Sequence, residues 1–217
     1  MSEPVTQTAR DTQPRTYKER RSGYVNRLYE LGREVELQTP YRVAAARRTL
    51  ARLRRSLVDD RFLPDAMAIA VEFDPPQGGR RDETEPWLLV AGLYALHPRQ
   101  PLRGEQRLGL GGALSTYSTR DSVEARMRQL LSADWPTLRY RLRQAVQMLS
   151  GSDIALDYHA LLADLVELHH APAGGAKAHG VHLRWASDFQ RAAHANRSND
   201  DGDDRSDDTN DEAGASS

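Results

Sequence analysis

The stretch YRVAAARRTLARLRRSLVDDR, residues 41–61, holds seven arginines and no lysine. A guanidinium group is a planar fork of N–H donors that keeps its charge in water, so it suits bidentate recognition of phosphate or carboxylate. The chemistry open to such a stretch is anion binding, not proton transfer or nucleophilic attack. Helical projection places Arg48, Arg52 and Arg55 opposite an apolar stripe of Val43, Ala46, Leu50, Leu53 and Leu57, with Arg47 and Arg54 together on one flank. Solvated helices usually intersperse acid and base four residues apart, which gives mutual support. Between Tyr41 and Val58 six arginines stand with no acid, so like charges repel until an anion arrives.

The imbalance recurs in RMRQLLSADWPTLRYRLRQ, where Arg126, Arg128, Arg139, Arg141 and Arg143 have only Asp134 as a local acid, and Arg139 and Arg143 share a face. Arg20 and Arg27 stand seven apart on one flank of an earlier helical segment. The candidate nucleic-acid-binding set is therefore Arg20, Arg27, Arg47, Arg48, Arg52, Arg54, Arg55, Arg126, Arg139 and Arg143, reaching backbone phosphates without reading sequence. Trp87, Trp185 and Phe189 sit at core spacing, which argues against base readout, and Arg184 beside Trp185 is read as a structural ion-pair partner. With 28 arginines against 2 lysines, genome base composition alone can favour arginine, so the missing acids carry the argument.

Other chemistry is weaker. Seven histidines include the clusters ELHH, Glu167 to His170, and HGVH, His179 to His182. A metal site of the familiar helical kind needs two histidines four apart on one face with a glutamate between them. Here His169 and His170 are adjacent and diverge, and His179 is expected in a glycine-rich loop. The expectation is surface histidines, with no metal and no other cofactor. GLGG at Gly109 to Gly112 lacks the Gly-Lys-Ser/Thr ending of a phosphate loop and reads as a flexible interdomain connection. Asp59 with Asp60, and Asp153 with Asp157, read as turn and cap residues. No cysteine is present to act as a nucleophile, a disulfide half or a thiolate ligand. The expectation is a protein that is not an enzyme.

These arginines must be positioned by helices. Apolar residues recur at three and four through Tyr17, Tyr24, Leu28, Leu31 and Val35, and again through the 43–57 stripe after Thr39 as N-cap and Pro40 as first helical residue. A third helix follows Pro64, and DPPQGGRRDETEP is a polar loop. WLLVAGLYALHP is apolar almost throughout and predicts a fully buried central helix. Helices are then expected after Ser122, after Asp134 with Pro136 just inside, after Asp157, and around Trp185 and Phe189, with APAGGAKAHG as a loop. The reading is an all-α fold of two small helical bundles with about eight helices. Its divisions are a disordered segment 1–15, an N-terminal helical domain 16–114, a C-terminal bundle 115–197 and a disordered acidic tail 198–217. That tail holds eight acids against Arg205, a net of −7, so the overall −1 hides +6 over residues 1–197. No apolar run approaches the roughly 18 residues of a membrane span, and the N-terminus lacks the apolar core of a signal peptide. A cytoplasmic location is expected.

The periodic segments, taken in order, resemble the CasB family, the small subunit of the type I-E CRISPR surveillance complex, Cascade. The features that carry the resemblance are WLLVAGLYALHP, EARMRQLLSAD, the basic helix after it, LDYHALLADL and a closing LRWASDF. It runs from about Tyr17 to Arg191; the acidic tail lies outside it. The resemblance implies a two-domain helical protein without catalytic activity, present as two copies along the inner side of the effector. It implies as partners the guide RNA, the target and displaced DNA strands, the large and backbone subunits and a second copy of itself, with no membrane.

A protein-only adaptor whose arginine stripes dock acidic protein partners is the competing reading. A helix-turn-helix reader needs a short turn before a polar base-reading helix, and neither basic helix has that setting.

Overall fold

Residues 84–96 are apolar around the whole helix circumference, and such a helix can be stable only at the centre of a fold. The computed structural model describes residues 15–37, 39–102, 104–117, 121–172 and 175–203. Among them lie nine α-helices, three short 3-10 turns and no strand: α1 Tyr17–Glu34, α2 Pro40–Arg55, α3 Leu63–Ala70, α4 Thr84–Leu96, α5 Leu110–Tyr117, α6 Asp121–Leu131, α7 Trp135–Leu149, α8 Tyr158–His170 and α9 Ala176–Asp203. The all-α expectation holds, with one helix more than the periodicity suggested. The expected disorder of residues 1–14 and 204–217 falls outside the described residues. Helix α9 continues through Asp203, past the start of the acidic tail at residue 198.

Helix α4 is the buried centre, packed against α2, α3, α7 and α8. Trp87, Val90, Ala91, Leu93 and Tyr94 are fully enclosed. Tyr24 of α1 stacks on Trp87 at 4.6 Å and its hydroxyl donates to the Trp87 carbonyl at 2.6 Å. Tyr158 meets Tyr29 and Tyr94 edge to face and Tyr29 meets Tyr94 at a tilt, with centroids 5.1–6.4 Å apart. Burial pushes the Tyr158 phenol well above its ordinary range, so it stays neutral and donates to the His97 carbonyl at 3.0 Å. One apolar cluster runs continuously from Tyr24 through α4 to Phe189.

Helix ends follow local chemistry. Thr16 and Glu19 form a capping box at α1, Asp134 accepts from the Thr137 N–H at 3.0 Å, and Asp157 accepts from the His159 N–H at 2.9 Å. Thr39 and Pro40 open α2 as expected, though the Thr39 side chain makes no cap bond.

Two sequence expectations are corrected. GLGG is not a loop: residues from Leu110 form the buried helix α5 against α9. A Cβ at Gly111 would stand 2.0 Å from the Trp185 carbonyl oxygen, so glycine there allows the two backbones to touch. APAGGAKAHG is not a loop throughout, because α9 begins at Ala176 and carries His179. Burial of Val181 and Trp185 offsets the roughly 1 kcal/mol cost of Gly180 inside a helix.

Where α8 meets α9, Asp164 is almost buried and accepts from Trp185 Nε1 at 2.6 Å and from Arg184 at 2.7 Å. Arg184 also reaches Glu167 at 2.9 Å, so the expected structural role of Arg184 holds. Asp164→Ala strands the Trp185 N–H in the core. A loss of about 2 kcal/mol is expected, read as a lowered denaturant midpoint with unchanged slope.

His97 is buried and donates through Nε2 to the Ile154 carbonyl at 2.7 Å. Burial depresses its pKa, and does the same for His159 and His169. A depressed folded-state pKa means that the unfolded chain takes up protons first as pH falls below about 6.5. The melting temperature is therefore expected to hold above pH 7 and to fall on acidification toward pH 5. His97→Gln, which keeps a donor for Ile154, should make that fall shallower.

Candidate nucleic-acid interface

Helix α2 owes its inward face to Ala46, Leu50 and Leu53, which bury against α4, with Val43 and Leu57 half-buried at its ends. Ala45, Thr49 and Ala51 are half-buried on its flanks, and the arginines of its outer side are exposed. Arg52, Arg54 and Arg55 occupy the last turn, where the negative end of the helix dipole favours cations by about 0.3–1 kcal/mol. They have a local structural reason to be basic. Arg47 and Arg48 sit mid-helix and have none.

The structure separates the candidate arginines by what already holds them. Arg20 is paired with Asp74, whose carbonyl it also reaches at 2.9 Å. Arg27 lies 3.3 Å from Glu30 and 3.6 Å from Glu34, and Glu34 also takes Arg42 of α2 at 3.3 Å. Arg52 meets Asp65 of α3 at 3.0 Å, Arg54 Nε donates to the Ala95 carbonyl at 3.0 Å, and Arg139 meets Glu85 of α4 at 2.6 Å. Among the described residues, Arg47, Arg48, Arg55, Arg126 and Arg143 have no acidic partner. Of these, Arg55 lies over the Phe62 ring at 5.3 Å, a contact that leaves its guanidinium edge free for an anion.

Arg47, Arg48 and Arg55 are all exposed and come from one acid-free helix, so α2 presents three uncommitted guanidinium groups together. Arg126 is exposed on α6, while Arg143 is half-buried on α7. Arg139 lines a cleft of about 450 Å³ together with Ser56 and Leu57, which places it beside the C-terminal end of α2. Its carboxylate partner Glu85 and His169, 3.9 Å from Glu85, share that cleft.

Sequence reasoning missed Tyr41. Seven residues before Arg48, it shares the outward face and is 83% exposed. A flat ring beside free guanidinium groups can stack with an unpaired base. The same helical projection that places Arg48 outward places Tyr41 there. Trp87, Trp185 and Phe189 are buried as their spacing indicated. The histidines are engaged elsewhere: His169 packs on Trp135 at 4.7 Å and His170 lies 3.0 Å from the Asp82 carbonyl. Among the described residues no group of three or more His, Asp or Glu could hold a metal ion. No helix among them is long and apolar enough to cross a membrane.

These features define a helical protein built around a buried central helix and displaying arginine on an acid-free one. Comparison with known proteins then fixes the family. Residues 49–189 match the family model for CRISPR-associated protein Cse2. The CRISPR-associated protein Cse2 of Thermus thermophilus is 33% identical over 149 residues, covering 65% of this chain and 78% of that one. The crystal structure of CasB from Thermobifida fusca superimposes with a TM-score of 0.57 at 28% identity, covering 78% of this chain and 97% of the other. A chain of a CRISPR RNA-guided surveillance complex shares the fold with a TM-score of 0.62 at 19% identity, covering 84% and 98%. The chain belongs to the Cse2 family, also called CasB, of type I-E Cascade. Arg47 and Arg48 lie just before the matched stretch; Arg52, Arg54, Arg55, Arg126, Arg139 and Arg143 lie within it.

Proposed function

We propose that this chain is the non-catalytic small subunit of an RNA-guided type I-E CRISPR effector, working in the cytoplasm in antiviral defence. Its partners are the guide RNA, the target and displaced DNA strands, the large and backbone subunits, and a second copy of itself. Pairing with the guide reads sequence, and the subunit supplies backbone contacts that hold the opened strands. Exchange of a DNA duplex for an RNA–DNA duplex is nearly balanced in free energy, so a few phosphate contacts tip it. The observation that carries the proposal is the acid-free exposed face of α2, where Arg47, Arg48 and Arg55 have no carboxylate to leave before taking a phosphate. Arg20, Arg27, Arg52 and Arg139 would each have to exchange an internal partner, so they are secondary contacts.

A photo-crosslinking residue at position 48, in the complex reconstituted with guide RNA and bound to target DNA, tests this directly. The expected result is a covalent adduct with a nucleic-acid strand, absent when the group is placed at Leu183, which is exposed on α9. Adducts to protein alone from position 48 would overturn the proposal and favour an adaptor that docks acidic proteins.

A further inference from the structure

The chain carries an anion of its own. Helix α9 ends at Asp203, and residues 204–217 beyond it hold five acids against Arg205, a net of −4. Facing them in composition is α2, six arginines with no acid between Tyr41 and Val58, of which Arg47, Arg48 and Arg55 have no acidic partner among the described residues. Fourteen residues extend at most about 46–50 Å, whereas a folded body of this length has a radius of gyration of about 16 Å. The extended segment is therefore about three times as long as that radius. Covalent attachment holds it near that surface at an effective concentration of order millimolar, far above a free peptide in dilute solution.

We propose that the acidic C-terminal segment occupies the arginine face of α2 while nucleic acid is absent and is displaced from it by nucleic acid. The displacement half rests on the reading of that face as a phosphate track; the occupancy half does not. Single exposed carboxylate–guanidinium pairs are weak and salt-sensitive. A nucleic-acid strand has a denser line of charge and releases condensed counterions when it is neutralised, so it wins the competition. The segment then acts as a threshold. Short or sparse anions fail to dislodge it, and a continuous strand succeeds. Stray contact with cellular polyanions is reduced, and the track is open when a strand is delivered by the assembled complex.

The absence of native cysteine makes the test clean, because Ser216→Cys gives the full-length chain a unique site for a paramagnetic label. At low salt, the backbone amide signals of Arg47, Arg48 and Arg55 should broaden while that of Leu183 does not. The broadening should be independent of protein concentration, vanish at about 0.5 M salt, where screening is short-ranged, and be relieved by a thymidine oligonucleotide. Absence of broadening on α2, or broadening centred on another face, overturns occupancy. Broadening that grows with protein concentration also overturns it, since the segment then sits on a second copy. Broadening that the oligonucleotide leaves unchanged overturns displacement and counts against the phosphate track, while the contact itself stands. In parallel, neutralising the segment with D204N, D207N, D208N, D211N and E212Q should raise oligonucleotide affinity about fivefold at low salt and leave it unchanged at high salt. Equal affinities at low salt would remove the threshold role.

Discussion

Gly111→Ala is expected to destabilise the protein, although alanine is the best helix former and glycine among the worst. In an exposed helix the exchange gains about 1 kcal/mol. Here the new Cβ would lie 2.0 Å from the Trp185 carbonyl oxygen and 2.9 Å from its carbon. Both atoms are backbone, so no rotamer change clears the space. The helices α5 and α9 must separate, and Trp185 and Phe189, both nearly fully buried, lose their packing with them. A cost of at least about 4 kcal/mol is expected, a fall in melting temperature of roughly 8–16 °C for a chain of this size. Gly112→Ala provides the internal control. Its Cβ would meet only Leu108 Cδ2 at 3.4 Å, an ordinary contact, so the helix gain survives. The two neighbouring substitutions should therefore shift the melting temperature in opposite directions.

Replacing Arg47, Arg48 and Arg55 together by alanine should weaken target-DNA binding by the assembled complex while leaving the subunit folded and incorporated. The side chains are exposed, and only Arg55 gives up a helix-end charge and its contact with Phe62, so the fold loses about 1 kcal/mol. At about 1 kcal/mol for each exposed charged contact, three together give roughly a hundredfold loss. A matched substitution of Arg20, Arg27 and Arg139 should give a smaller binding defect and a larger stability defect. Those three already serve Asp74, Glu30 with Glu34, and Glu85, and their removal leaves carboxylates without cations. The comparison separates loss of positive charge in general from loss of uncommitted charge on α2.

Most of the helices were legible because burial and periodicity agree in them. Leu50 and Leu53, Leu138 and Leu142, and Leu161, Leu162 and Leu165 face inward at the spacing the sequence shows. Caps at Asp134 and Asp157 use side chains within three residues of their targets, which a linear reading can see, whereas Thr39 opens α2 without a side-chain cap bond. Helix α5 was not legible, because its glycines look like breakers until Trp185, more than seventy residues later, packs its backbone against Gly111. The same limit governs the site. A local count finds only Asp134 near Arg139 and no acid on the helix of Arg52, yet Glu85 and Asp65 arrive from other helices. Local charge imbalance marks where cations collect, and only the packing decides which of them remain uncommitted. The acid inside the apolar face of α8, Asp164 between Leu161 and Leu165, was a visible cue to the buried Trp185 and Arg184 contacts.

The most direct test of the central claim, that α2 meets nucleic-acid phosphates, is the salt dependence of target-DNA binding by the guide-loaded complex. Equilibrium constants would be measured across a range of salt concentrations for the native subunit and for the Arg47, Arg48 and Arg55 alanine variant, with incorporation checked by co-purification. Each phosphate contact contributes about 0.7–0.9 to the slope of log K against log salt. The variant slope should be shallower by about two to three for each copy of the subunit in the complex. Parallel lines of equal slope from fully incorporated subunits would contradict the account and leave the arginine face of α2 a solvated surface.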